Sequence, residues 1–441
     1  MSLERRLALE LLLQTERDET ASPDRLLKET LKAQDDLKDV QKSFLVQLVQ
    51  GTLRYRIRLD DCLDRYSKTP VNKMKPLIRN LLRMSVYQIL FLDDVPDAAA
   101  CDEAVRLAKE KGFSPLTGFV NGVLRTIARK KDEIIWPDRE DPSYLSVMYA
   151  MPKVLSEHFK THYGEEKAEE ICAAFLAPRP VMIRLRRARM KADGIKEETL
   201  LDRMRTTAQG ITITPHDTVP DVFVLTHPGN PVRLYGFHEG YFTIQDAASV
   251  EAVQSAGIKT GDSVIDVCAS PGGKAACAAD FCKESGQVLA RDVSEAKVRR
   301  MDETLRRLGC ETVKSEVYDA RKTDARRIET ADVLICDVPC SALGIIGRKP
   351  EVKYRFSAEG VKALTGLQRE IVSASWQYVK QGGTLLYCTC TLNPSENEEQ
   401  VAWIQKEFPF TVVKMKQLFP GEADTDGFFY AVLQRDGSHR V

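Results

Sequence analysis

The chain predicts a multidomain architecture: an all-α bundle, a small α+β connector and an α/β domain that closes the chain. Three observations carry this reading. Apolar residues recur at helical spacing through the first 135 positions. Short apolar runs among turns take over across 143–240. From 241 to 441, strand-like runs alternate with helical stretches, the pattern of a doubly wound α/β layer. A chain of 441 residues also exceeds one ordinary core.

In the first part Leu7, Leu11 and Leu12 share one helical face, as do Phe44, Leu45, Leu48, Val49 and Leu53. Ser22-Pro23-Asp24 offers an N-cap with proline in the first turn. Ile78, Leu81, Leu82, Val86, Ile89 and Leu90 mark a strongly apolar helix that Asp93-Asp94-Val95-Pro96 stops. Further helices are expected over 98–111, ending at Gly112, and over 119–129. Residues 130–142, with Pro137 and Pro142, read as a linker. A helical stretch over 152–175, interrupted near Tyr163-Gly164, leads into strands at 181–185, 211–213, 222–225 and 241–244.

In the last part strands are expected at 263–267, 287–291, 312–316, 333–337 and 384–388, with helices over 274–283, 294–308 and 361–379. Residues 410–415 and 428–434 read as a hairpin at the sheet edge.

Composition narrows the class. Hydrophobic residues make up 43% and charged residues 29%, as in a soluble globular protein. No apolar run is long enough to span a bilayer, so no membrane partner is expected. Met1 to Arg6 lack a signal-peptide core, and eleven irregularly spaced cysteines suit a reducing cytoplasm. Sixty-four basic and 64 acidic residues cancel, which argues against a clamp for polyanions over the whole surface. Three local clusters remain: Arg184, Arg186, Arg187, Arg189 and Lys191; Arg321, Lys322, Arg326 and Arg327; Arg348, Lys349, Lys353 and Arg355. Flanking one domain, they favour a phosphate backbone as partner.

Candidate chemistry gathers at strand ends, where ligands bind in open parallel sheets. Asp266-Val267-Cys268-Ala269-Ser270-Pro271-Gly272-Gly273-Lys274 follows the first strand as a Gly-rich turn, and the next helix presents free N–H groups. Asp292 ends the second strand, where a carboxylate can accept both ribose hydroxyls. The turn lacks G-x-G-x-x-G, so S-adenosylmethionine, which has no pyrophosphate, fits better than a nicotinamide cofactor. Asp319, after the third strand, is placed to meet an adenine edge, or is simply a surface turn residue.

Asp337-Val338-Pro339-Cys340 and Thr389-Cys390 end two later strands. A thiolate can attack an electron-poor ring carbon near neutral pH, and a carboxylate three positions before a thiol can hold the polar edge of a flipped base. Buried structural cysteines are the competing reading. Zinc held by Cys336, Cys340, Cys388 and Cys390 is disfavoured, because C-x-C with C-x-x-x-C lacks knuckle spacing.

With these residues assembled, the chain resembles the RsmB (Fmu or Sun) family of bacterial 16S ribosomal RNA cytosine-5 methyltransferases. Residues 266–274, 337–344 and 387–397 carry the resemblance, with Asp426-Gly427-Phe428-Phe429-Tyr430-Ala431 as the closing strand. The front end is similar to the NusB-type RNA-binding domain through Gly51-Thr52-Leu53-Arg54, Val95-Pro96, Asp102-Glu103-Ala104-Val105 and 119–125. Ser270 and Val338 stand where alanine is usual, and neither change removes a reactive group.

The resemblance implies a NusB-like bundle at 1–135, an α+β connector at 143–240 and a Rossmann-like class I methyltransferase domain at 241–441. It implies Cys390 as nucleophile, Cys340 in product release and Asp337 in orienting the base. Cys268, Ala269, Ser270, Pro271, Gly272, Gly273, Lys274, Asp292, Asp319 and Asp337 would line the S-adenosyl-L-methionine pocket. The implied partner is 16S ribosomal RNA, free or in an early assembly state, bound by a monomer in the cytoplasm. DNA is disfavoured, since the Pro-Cys site at Cys340 is joined by the Thr-Cys site of RNA enzymes. Rival readings are the same chemistry on transfer RNA or another ribosomal cytidine, and a non-catalytic RNA-binding or antitermination factor.

Overall fold

The computed structural model describes residues 2–18, 21–34, 36–208 and 210–437. Its contacts resolve into two units, Met1–Ala177 with Ile346–Arg355, and Pro178–Ile345 with Phe356–Val441. The first division falls inside the 143–240 segment, between helices and strands.

The first unit is helical: α1 (Leu3–Arg17), α2 (Pro23–Ala33), α3 (Asp39–Tyr66), α4 (Pro76–Phe91), α5 (Asp97–Glu110), α6 (Thr117–Lys130), α7 (Tyr144–Met148), α8 (Lys153–Tyr163) and α9 (Glu165–Leu176). Ser22 caps α2, its side chain accepting from Arg25 N, with Pro23 in the first turn as the sequence requires. The apolar stripes converge on one core that includes Leu9, Leu45, Leu48, Leu81 and Leu124, each fully buried. No helix among the described residues is long and apolar enough to cross a membrane.

Residues Ile346–Arg355 complete this unit. Lys353 Nζ donates to Arg54 O at 2.7 Å, and Tyr354 OH to Leu53 O at 2.9 Å. The Arg56 guanidinium lies 3.4 Å from the centre of the Tyr354 ring. Burial, with Arg56 and Arg54 nearby, brings the Lys353 ammonium down to about 7.

The second unit carries two sheets. Strands β1 (Val181–Leu185), β2 (Thr212–Pro215), β3 (Val222–Thr226) and β4 (Phe242–Ile244) form an antiparallel sheet of order β2-β3-β1-β4, with α10 (Arg187–Ala192) and α11 (Glu197–Thr207) between its first two strands. The larger sheet alternates with helices: α12 (Ala247–Ser255), β5 (Ser263–Asp266), α13 (Gly273–Cys282), β6 (Gln287–Asp292), α14 (Glu295–Arg307), β7 (Val313–Val317), β8 (Ala331–Asp337), α15 (Ala358–Ser375), β9 (Val379–Thr389), α16 (Glu398–Glu407), β10 (Phe410–Leu418) and β11 (Phe428–Arg435). Its order is β10-β11-β9-β8-β5-β6-β7. Strands β9, β8, β5, β6 and β7 are parallel, and the β10–β11 hairpin closes the other edge antiparallel, as the sequence indicates.

Several elements depart from expectation, among them the short helices α7, α10 and α11, which the strand-and-turn reading of 143–240 did not include. Helix α12 was not anticipated, because Ala247, Ala248, Val250, Ala252 and Val253 are all buried and leave little amphipathic contrast. The helix expected over 361–379 stops at Ser375, where a single tight turn, Trp376–Tyr378, hands the chain to β9.

The three basic clusters are corrected in part. Arg184 and Arg186 are buried against Asp280, because β1 is paired on both sides and covered. Arg187 pairs with Asp221 at 2.6 Å, and Arg189 with Asp193 at 3.2 Å. Arg321 is held by Asp319, and Arg326 and Arg327 by Asp324. Lys353 of the third cluster is buried in the helical unit. Arg184, Arg186 and Lys353 are thereby withdrawn from any phosphate-facing surface, whereas Arg187, Arg189, Arg321 and Arg326 are paired yet keep 40–75% of their side-chain surface exposed.

Candidate active site

Strand register assembles the site. β8 runs parallel to β5 on one side and β9 on the other, with Asp266 opposite Ile335 and Asp337 opposite Cys388. Strand order reverses at this point, β6 and β7 leading away on one side and β9 on the other, which opens a crevice at the carboxyl ends. Cys340 follows Asp337 by three residues and Cys390 follows Cys388 by two. Their sulfurs meet at 3.3 Å, and both side chains are half-buried.

The two strand ends are pinned together beyond the ladder. Val338 N donates to Cys388 O at 3.2 Å and Gly344 N to Cys390 O at 2.9 Å. Ser341 Oγ and Thr391 Oγ1 share a hydrogen bond of 2.6 Å. Gly344 has no alternative here: a Cβ on it would stand 1.9 Å from Gly427 O and 2.9 Å from Cys390 O. Gly427 N returns a hydrogen bond to Gly344 O at 2.9 Å, so the closing strand buttresses the cysteine loops.

A charged pair lies at the floor of the crevice. Lys274 Nζ donates to Asp337 Oδ2 at 2.6 Å, and Cys388 Sγ lies 3.6 Å from Oδ1 of the same carboxylate. Burial works against the Lys274 ammonium, yet Asp337 beside it raises its affinity for the proton above the ordinary lysine range. Asp266 is fully buried; its Oδ1 accepts from Cys268 N, while Oδ2 has no hydrogen-bond partner among the described residues. Burial, reinforced by the Asp337 charge, pushes its carboxyl up to about 8, so it is protonated near neutrality. Burial likewise raises the Cys268 and Cys388 thiols. Cys340 is raised by its hydrogen bond to Cys390, by burial, and by the charges of Cys390 and Glu396, and so keeps its proton.

The Gly-rich turn lies beside these groups. Gly272 takes φ +103°, a left-handed backbone, and a Cβ there would press on Met301 Cγ at 3.1 Å. Ala269 N donates to Arg291 O at 2.8 Å, fixing the turn to β6. Asp292 ends β6 almost fully buried, accepting from Val293 N at 2.8 Å and pairing with Lys297 at 3.2 Å. Tyr318 N donates to Asp292 O at 3.0 Å, which brings the next residue, Asp319, to the same rim. The Asp319 carboxylate is engaged by Arg321, which holds it below the usual carboxylate range.

These residues fit S-adenosylmethionine. A turn free of side-chain bulk leads into a helix start, and a carboxylate at the end of the second parallel strand can take ribose hydroxyls.

The sequence expectation thus meets a structure that brings Asp266, Lys274, Asp337, Cys340, Cys388 and Cys390 together, with Asp292 and Asp319 along the adjoining strand ends. It missed the direct Lys274–Asp337 pair, because lysine was read only as part of the turn. It also missed Glu396, read as an acid opening a helix. The helix begins at Glu398, and Glu396 sits in the preceding turn, Pro394–Glu396, fully buried. The available signal was Asn393-Pro394, which caps a separate turn before the helix.

Comparison with known proteins places this geometry. The family model described as 16S rRNA methyltransferase RsmB/F matches residues 256–434, and the NusB family model matches residues 2–129. The probable ribosomal RNA small subunit methyltransferase B of Bacillus subtilis is 34% identical over 98% of this chain and 99% of its own length. The chain belongs to the ribosomal RNA small subunit methyltransferase B family. The Vibrio cholerae member is 32% identical over 91% of this chain and 92% of its own. Among solved structures, a methyltransferase homolog from Pyrococcus horikoshii matches with TM-score 0.58 at 24% identity, over 68% of this chain and 100% of that one, a likeness of fold. Every site residue named above lies inside the methyltransferase segment of the family.

Proposed function

We propose that this family member methylates C5 of one specific cytidine in 16S ribosomal RNA through a covalent adduct between Cys390 and C6 of the ring. The observation that carries the reading is the meeting of two sulfurs, 3.3 Å apart, beside a lysine-paired carboxylate at the switch point of the sheet. The names of the Bacillus and Vibrio relatives support ribosomal RNA of the small subunit as the substrate.

C5 of cytosine is a weak nucleophile, and the target base must leave its stack to be reached. The Cys390 thiolate, accepting from the Cys340 S–H, adds to C6, and the ring electrons move toward N3 and C5. Asp337 accepts from the N4 amino group at the polar edge of the base, beside N3 where electron density builds, and the Lys274 cation bonded to that carboxylate offsets the growing charge. S-adenosylmethionine supplies the methyl group as an electron-poor sulfonium carbon. The turn Cys268–Lys274 with Asp292, Asp319 and Asp337 would hold that donor beside the base. Release follows: the C5 proton leaves, its C–H pair becomes the C5–C6 double bond, and the C6–S pair returns to Cys390. Cys340 assists this stage.

The test is tritium transfer from labelled S-adenosylmethionine to unmodified 16S RNA, followed by mapping of the nucleotide. One 5-methylcytidine in the small-subunit RNA supports the reading. Label in transfer RNA instead would overturn the substrate and keep the chemistry.

A further inference from the structure

Glu396 is a buried carboxylate that the mechanism above leaves unused. Four neutral donors converge on it. Ser341 N and Gln368 Nε2 reach Oε2 at 2.9 and 3.0 Å; Asn393 Nδ2 reaches Oε1 at 3.0 Å, and the Ser341 hydroxyl donates to the same oxygen. Gln368 Nε2 also donates to Pro339 O at 2.9 Å, so the residues on both sides of Cys340 are tied to one Gln–Glu pair. From below, Tyr387 OH donates to Glu396 O at 2.7 Å. Asn393 and Thr391 lie just past Cys390, and Thr391 bonds Ser341 directly.

A purely structural filler at this point would not need a charge, since burying a carboxylate is costly even when it is hydrogen-bonded. Here the bonds run to the two loops that bear the thiols.

We propose that Glu396 is a positioning residue that fixes the Cys340 loop against the end of the Cys390 strand, so that the second sulfur can complete release of the product. This rests on the reading of Cys340 given above. While Cys390 is a thiolate, Cys340 holds its proton toward it. Once Cys390 is bound to the base, that charge is gone, and the Cys340 proton passes to solvent. The resulting thiolate takes the C5 proton; the C–H pair forms the C5–C6 double bond, and the C6–S bond breaks with its pair on Cys390. Both sulfurs return to their starting protonation with one proton released. The sequence requires Cys340 to stay within reach of the base after Cys390 is engaged, and that is the distance Glu396 sets.

The experiment compares Glu396→Gln with the parent on unmodified 16S RNA transcribed in vitro, following the first methyl transfer, steady turnover and covalent RNA–protein adduct on denaturing gels. The expected result is a first transfer close to the parent's, turnover lower by about 10²-fold, and accumulation of adduct. A Glu396→Gln protein that turns over like the parent, or that slows both phases equally without adduct, would overturn the proposal; a merely structural role gives the second pattern. Cys340→Ala is the reference. If it forms no adduct, the reading of Cys340 fails, and this inference fails with it. If Cys340→Ala traps adduct and Glu396→Gln does not, only the role of Glu396 is lost. Should Glu396→Gln not fold, Ser341→Ala decides by the same readout: it keeps the N–H to Glu396 and loses both hydroxyl bonds, and adduct is expected again.

Discussion

Asp337 stands directly opposite Cys388 in the parallel β8–β9 ladder, and this pairing is what brings Cys340 and Cys390 together. A slip of one residue would turn the side chains of one strand to the other face of the sheet and part the sulfurs. The geometry of the thiol pair is thus a property of strand register, fixed far from either loop by Leu334 opposite Leu385 and Ile335 opposite Leu386 in the buried core. Cys388 adds to it at the strand end, close to the Asp337 carboxylate.

The Gly344–Gly427 contact behind Cys390 leaves no room for a side chain. Gly344→Ala should destabilise the fold by about 2 kcal/mol through overpacking. Displacing the Cys390 carbonyl by about 1 Å should also lower activity by roughly 10²-fold. Denaturant midpoints and single-turnover rates check this; a variant of parental stability and rate would mean that the two loops yield freely.

The buried carboxyl of Asp266 carries a pH signature. Its ordinary value of 3.8 rises to about 8 in the folded chain. An acid raised on folding contributes stability that is fully present below the unfolded value and is lost as pH climbs through the folded one. Between about pH 4 and 8 the unfolded chain holds fewer protons at this site than the native one, so stability falls with pH. Asp266→Asn imitates the protonated form and should flatten that slope. Denaturant unfolding of both proteins at pH 6 and pH 9 measures it, and parallel slopes would contradict the assignment.

On the proposed reading, Asp292 and Asp319 should make separable contributions to donor binding. Asp292 is nearly fully buried at the end of β6 and meets Lys297 through one oxygen only, whereas both oxygens of Asp319 are held by Arg321. Losing a charge-assisted hydrogen bond costs about 2 kcal/mol, so Asp292→Ala should weaken S-adenosylmethionine binding by roughly 30-fold. Asp319→Ala should cost less, because Arg321 competes for its oxygens. Titration calorimetry with S-adenosylmethionine ranks the two, and equal losses would show that Arg321 lets go of Asp319 when the donor binds.

Much of this was legible before the fold was seen, and the exceptions have physical causes. Alternating strands and helices located the central ladder, and Gly272, Asp292, Asp337, Cys340 and Cys390 could each be read as a strand-end residue in a parallel sheet. Residue type and local spacing carried that information. What spacing could not carry was partnership across the chain: that Arg184 and Arg186 end on Asp280, that Lys274 ends on Asp337, or that Glu396 binds the backbone beside Cys340. A basic cluster and a buried ion pair share one composition, and only packing tells them apart. Helix α12 stayed hidden because it is buried on several sides, so it shows little of the amphipathic contrast that marks a surface helix.

The most direct measurement separates the two sulfurs. Cys340→Ala, Cys390→Ala and the double variant are each incubated with 16S RNA and S-adenosylmethionine, then resolved on a denaturing gel. The account predicts a covalent RNA adduct in Cys340→Ala and none in the other two, with methyl transfer abolished wherever Cys390 is replaced. An active Cys390→Ala enzyme, or an adduct that survives in the double variant, would contradict it.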